Sequence, residues 1–192
     1  ISSHRITRDI TMSDRLSKLL SSFESHISIP WPSAVSADER TIFLVYHKED
    51  ELKLRARVEE FEYACTNNNH PWMLLDLTQS FETWMAEQDY KETYFEDPEY
   101  LKGLFGDFAD ELVADLIAKV EDNQDSNGVV ALLGCGTLFG FASVSGLVES
   151  LAEKITGRLV VFFPGEVHEN NYQLLDAKDG WGYHATAISA NT

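Results

Sequence analysis

Three glycines within seven residues, Gly134, Gly136 and Gly140, sit in VVALLGCGTLFGFASVSGLVESL (residues 129 to 151), between an apolar run and an amphipathic stretch. Glycines placed between a strand and a helix can cradle phosphate, because bare N–H groups and a helix N-terminus attract anions. A phosphate loop of the form G-x-x-x-x-G-K-[ST] counted from Gly134 needs its second glycine at residue 139. That residue is Phe139, and Gly140 is followed by Phe141 and Ala142. A dinucleotide loop, G-x-G-x-x-G, fails at the same position. The three glycines therefore read as a tight strand-to-helix turn with close packing, in which Leu138, Phe139 and Phe141 bury against neighbours. An anion held at the helix N-terminus is the alternative. Cys135 in this loop would be a lowered-pKa thiol beside a helix dipole, but no His or acid partner lies near it in sequence, and a small buried residue is the simpler reading.

A second set of residues falls where strands end: His47, Asp76, and Glu166 with His168 and Glu169. Hard oxygen and imidazole donors suit a divalent metal, yet E-V-H-E matches no metal-ligand spacing, and polar strand ends commonly cap helices and orient loops. No Ser-His-Asp set, nucleophile elbow or zinc-type cysteine pair is present. No cofactor, metal or catalytic set is expected. A third set is aromatic: Trp84, Tyr90, Tyr94, Phe95 and Tyr100, framed by carboxylates. Rings among like charges suit a protein interface, where the rings supply buried area and the charges steer a basic partner.

The elements that carry these residues read as an α/β domain. Leu16, Leu19, Leu20 and Phe23 have helical spacing, and ISIPWP (27 to 32) then makes a rigid connector with Trp31 as its anchor. TIFLVYH (41 to 47), WMLLDL (72 to 77), VVALLG (129 to 134) and RLVVFFPG (158 to 165) are continuous apolar runs of strand length. Strands apolar on both faces belong inside a parallel sheet covered by helices on both sides. Between the first two, Leu54, Val58, Phe61 and Cys65 line one helical face, stopped at Asn67 to Asn69. Residues 81 to 120 must hold two or three helices, interrupted at Asp97-Pro98 and by Gly103 and Gly106. The last carries Phe108, Leu112, Leu116 and Val120. YQLLDA and YHATAIS flank KDGWG as an edge hairpin or a final strand. The expectation is a three-layer α/β/α fold, a mostly parallel sheet of about four to six strands, with a degenerate P-loop-like topology lacking a Walker A motif. Met12 is expected to begin the native chain, with residues 1 to 11 either an added segment foreign to it or a disordered leader, and 12 to 192 a single domain.

Fifteen Lys and Arg stand against 32 Asp and Glu, a formal charge of -17. Residues 76 to 125 hold 15 of the acids and only Lys91, Lys102 and Lys119 as bases, so this segment alone contributes -12. Such a surface repels nucleic acid and anionic lipid. Lys53, Arg55 and Arg57 read as one solvated helix face rather than a DNA-binding patch. Cys65 and Cys135 are too few for a disulfide framework, and no apolar run reaches the roughly 20 residues of a membrane span. The composition points to a soluble cytoplasmic protein with free thiols.

Five stretches taken together carry a likeness: RTIFLVYHKEDELKLRARVEEFE, HPWMLLDLTQSFETWMA, YFEDPE, VVALLGCGTLFGFASVSGLVESL and RLVVFFPGEVHENNYQLLDAKDGWGYHATAI. They resemble the BrxB family, a core component of bacterial BREX anti-phage systems, over Met12 to Ala190. ALLGCGTLFGFASVS and FFPGEVHENNYQLLDAKDGWGY are the most specific parts. The resemblance implies a cytoplasmic protein encoded beside a methyltransferase, a large ATPase and the alkaline-phosphatase-like PglZ, taking part in blocking phage DNA replication and in host methylation. It brings no catalytic residues. The function expected is that of a non-enzymatic adaptor binding PglZ, with no direct nucleic-acid or membrane contact. The alternative is a small nucleotide-binding or hydrolytic enzyme using the Gly134 to Gly140 loop.

Overall fold

The computed structural model describes residues 2–89, 96–177 and 180–191, with the side chains of residues 2–14, 98 and 101 outside that description. Helix α1, Ser2–Ile27, runs through Met12 without a break. Leu16, Leu19, Phe23 and Ile27 form its buried face. Trp31 anchors the proline connector as expected: it stacks on His70 with ring centroids 3.7 Å apart, and the Arg158 guanidinium lies 4.5 Å from the centroid of the same ring.

Strand β1, Thr41–Tyr46, is buried along its whole length. The amphipathic segment after it forms two helices, α2 (Glu51–Ala56) and α3 (Val58–Asn67), because Arg57 leaves the helical region at φ -118° and ψ 7°. Leu54, Val58, Phe61 and Cys65 nevertheless share one buried face. Next come β2, Trp72–Asp76, and α4, Ser80–Glu87. Helix α5, Pro98–Asp122, begins where Asp97 accepts a hydrogen bond from the Glu99 amide, with proline in its first turn. These are the usual start signals. Gly103 and Gly106 do not interrupt it. Both are exposed, with nothing within 4 Å of an added Cβ, and the burial of Leu104, Phe108, Leu112, Leu116 and Val120 outweighs about 1 kcal/mol of lost helix propensity at each glycine. Strand β3 (Val129–Leu133), helix α6 (Val144–Lys154) and strand β4 (Arg158–His168) follow, then short β5 (Asn171–Leu174), β6 (Trp181–Gly182) and β7 (Thr186–Ile188).

Among the described residues the sheet has seven strands. Five lie side by side in the order β2-β3-β4-β1-β7, every neighbouring pair parallel. Both readings of the segments flanking KDGWG are met in part: β5 pairs antiparallel with the outer half of β4 and with β6, and β7 joins β1 as a final strand at the sheet edge. Alternate residues of the central strands face opposite cores. Ile42, Leu44, Val160 and Phe162 pack with α1, α2 and α3, while Phe43, Leu159, Val161 and Phe163 pack with α4, α5, α6 and the β5 arm. Two cores on one sheet make the three-layer α/β/α arrangement expected from the doubly apolar strands.

Strand β4 outlasts the parallel sheet. At Gly165 it passes from β1 and β3 to β5, and a Cβ there would lie 2.1 Å from the Gln173 carbonyl oxygen. Only glycine permits that approach. The arm is held down by rings: Tyr172, 1% exposed, lies 4.3 Å from Phe43 and 5.7 Å from Trp181 between centroids.

Candidate functional site

All the residues singled out by the sequence as strand-end chemistry lie at the C-terminal edge of this sheet, but the fold divides them. The glycine loop begins where Gly134, at φ 88°, turns away from β3, and a Cβ there would meet the Thr78 amide nitrogen at 2.9 Å. Gly140 also has positive φ, and Gly136 lies under Pro164. A short 3-10 turn, Cys135–Leu138, follows. Four amides of the loop are used internally. Thr137 donates to the Gly134 carbonyl at 3.0 Å, Phe139 to Gly136 at 3.3 Å, and Phe141 and Ala142 both to Leu138 at 2.9 and 3.0 Å. Helix α6 starts only at Val144, where the Ser143 hydroxyl takes the Gly146 amide. A loop that closes its own hydrogen bonds, ending in a capped helix, is a turn in the sense first argued from its glycines and is poorly suited to gripping phosphate. Cys135 is fully buried, and burial, with Glu51 nearby, pushes its thiol up to about 12. It is a packing residue and not a lowered-pKa nucleophile.

Asp76 is committed to structure. One carboxylate oxygen accepts from the Thr78 amide at 3.0 Å and from its hydroxyl at 2.5 Å, and the other lies 3.6 Å from Arg55. Arg55 also donates to Glu51 at 3.0 Å, and Glu51 accepts from the Tyr46 hydroxyl. Burial first, then the Glu51 charge, raise the Tyr46 phenol far above its ordinary value. This chain of polar contacts ties the ends of β1 and β2 together through α2. It also corrects the reading of Lys53, Arg55 and Arg57 as one solvated face, since Arg57 pairs with Glu60 at 2.8 Å and reaches Ser17 at 3.2 Å. Asp76 stands two strands from β4 and does not meet Glu166, His168 or Glu169. Glu166 and His168 lie 3.4 Å apart on the exposed arm. Among the described residues no three His, Cys, Asp or Glu side chains gather as a metal site would require.

The aromatic set is rearranged as well. Trp84 is buried, 8% exposed, and donates its indole N–H to Glu111 at 2.5 Å, so it is a core ring rather than an exposed one. Tyr100, on α5, is 62% exposed. Tyr90, Tyr94 and Phe95 lie outside the described residues. The exposed rings that sequence reasoning missed belong to the glycine loop. Phe139 and Phe141 are 47% and 37% exposed, against the expectation that both are buried, whereas Leu138 is fully buried as expected. Phe141 stacks on Phe81 with centroids 4.6 Å apart and meets Phe105 edge-on at 5.1 Å. Glu82 of α4 and Glu99 and Asp107 of α5, on the helices that carry Phe81 and Phe105, are exposed. The one available signal was the crowding of Leu138, Phe139 and Phe141 into a loop too short to bury all three.

His47, Glu166 and His168 border a separate crevice between the ends of β1, β4 and β7, with α1 alongside. In its wall Asp50, 1% exposed, receives Arg15 through Nε at 3.3 Å and Nη2 at 3.1 Å. Two parallel N–H donors on a buried carboxylate pin α1 to the turn after β1.

The fold and its sheet edge thus define a three-layer α/β/α protein with an aromatic loop and a polar crevice at the C-terminal ends of its strands. Comparison with protein-family models, curated proteins and solved structures gives no match to this chain. No helix among the described residues is long and apolar enough to cross a membrane.

Proposed function

We propose that this protein is a non-catalytic adaptor of the cytoplasm that docks a basic surface of another protein through the aromatic patch of the glycine loop. The observation that carries this reading is the exposure of Phe139 and Phe141, with Phe141 packed on Phe81 and Phe105 of the acidic segment 76 to 125. An apolar patch rimmed by charge marks an interaction site on a folded protein, and the concentrated negative charge selects a cationic partner. The resemblance to the BrxB family supplies the candidate: PglZ of the same BREX system, in a complex that supports restriction of phage DNA replication and host methylation.

The test is size-exclusion chromatography with light scattering on the chain mixed with that PglZ at moderate salt. A co-eluting complex of defined mass is expected. The double variant F139A/F141A, whose rings are partly exposed already, keeps the far-ultraviolet spectrum and weakens the complex by about 2 kcal/mol or more, the scale of an interface hot spot. Separate elution of the two proteins at micromolar concentration overturns the reading.

A further inference from the structure

The strand order places a crevice where β1 and β4 lie side by side. The chain leaving β1 passes to the face covered by α1, α2 and α3, while the chain leaving β4 passes to the opposite face, through the β5 arm. Adjacent strands whose connections depart to opposite faces part at their carboxyl ends, and in open α/β sheets ligands bind in the gap so created. A cavity of about 250 Å³ occupies this position, bounded by Tyr46 at the end of β1 and His47 after it, Gly165 to His168 on β4, and Ser189 to Asn191 after β7.

Its size and lining restrict what fits. Ligand sites for drug-sized molecules start at roughly 300 Å³, so the occupant is smaller. Leu16 and Leu19 from α1 supply an apolar wall. The lining cation, Arg15, is already engaged by the buried Asp50 carboxylate, and Glu166 adds a second negative charge. Among the described residues a phosphate would meet carboxylates without a free guanidinium. Glu166, exposed at the mouth on the end of a strand, suits a pair of hydroxyl donors, the role an acidic residue plays towards a ribose. The imidazoles of His47 and His168 and the Asn191 side chain add mixed donors and acceptors.

We propose that this crevice binds an uncharged nucleoside, with its base against the apolar wall and its ribose hydroxyls on Glu166. The site is separate from the aromatic patch and does not depend on the adaptor reading.

The test is isothermal titration of the full chain with adenosine, guanosine, cytidine and uridine, with ATP as the phosphate-bearing counterpart. Saturable binding of at least one nucleoside is expected, tighter than that of ATP. A190W fills the crevice and abolishes the heat. E166A weakens binding about tenfold or more, the scale of a lost hydrogen bond to a charged group. Glu166 is exposed, so E166A tests the site even where A190W disturbs folding. The proposal is overturned by absence of heat with every nucleoside up to millimolar concentration, by binding indifferent to E166A, or by ATP binding more tightly than adenosine.

Discussion

At the scale of the residue, burial decides chemistry that residue type leaves open. Cys135 stands in a glycine loop before a helix, a sequence setting in which a reactive thiolate is conceivable, yet it is fully buried and its thiol is pushed up to about 12. Cys65, on α3, is pushed up to about 12 by burial and then by Glu62. Against an ordinary value of 9.0, both thiols stay protonated in the folded chain at pH values where the unfolded chain loses its protons. Their contribution to stability is whole below about pH 9 and disappears as pH rises through about 12. Denaturant unfolding followed from pH 8 to 10.5 is therefore expected to lose stability at up to about 1.4 kcal/mol per pH unit for each thiol in that window. C135A, matched to its own value at pH 8, should show a shallower slope. An unchanged slope would refute the buried-thiol account.

At the scale of the element, the continuous apolar runs are legible because strands covered on both faces have no polar side to show; WMLLDL departs from this, since β2 lies at the sheet edge with Leu74 39% exposed. A helix end is legible where it rests on a local hydrogen bond, as at Asp97, whereas the helix expected to carry Phe141 starts only at Val144. Breaks that depend on packing are not legible. Arg57 divides a segment whose apolar periodicity runs straight through it, while α5 continues through Gly103 and Gly106 because its far face is anchored in the core. The bend of β4 into its arm is another such junction. G165A would place a methyl group 2.1 Å from the Gln173 carbonyl oxygen, so it is expected to displace β5 and cost about 1 to 3 kcal/mol. Chemical denaturation measures the loss, and amide exchange faster at Tyr172 than at Val160 would locate it in the arm.

At the scale of the whole molecule, a charge of -17 is a property of the surface and acts at long range. The association proposed with a basic partner should be steered by that field. Raising salt from 50 to 500 mM is expected to slow association by about tenfold or more, with a much smaller effect on dissociation, as stopped-flow or surface-plasmon measurements would resolve. A rate insensitive to salt would mean that the acidic segment does not face the partner.

Composition and periodicity by themselves determined the fold class, four of the five parallel strands, the buried faces of α1, α3 and α5, and the failure of the glycine loop to match a phosphate motif. These follow from local rules: which side chains repeat at which period, and which residues a motif requires. Only the tertiary structure decided that β7 returns beside β1, that Asp76 and Glu166 stand apart, that Trp84 is buried while Phe139 and Phe141 are displayed, and that Asp50 receives Arg15 from 35 residues away. Each of these depends on which elements become neighbours. Neighbourhood across a sheet is set by the summed burial of two cores rather than by any spacing along the chain.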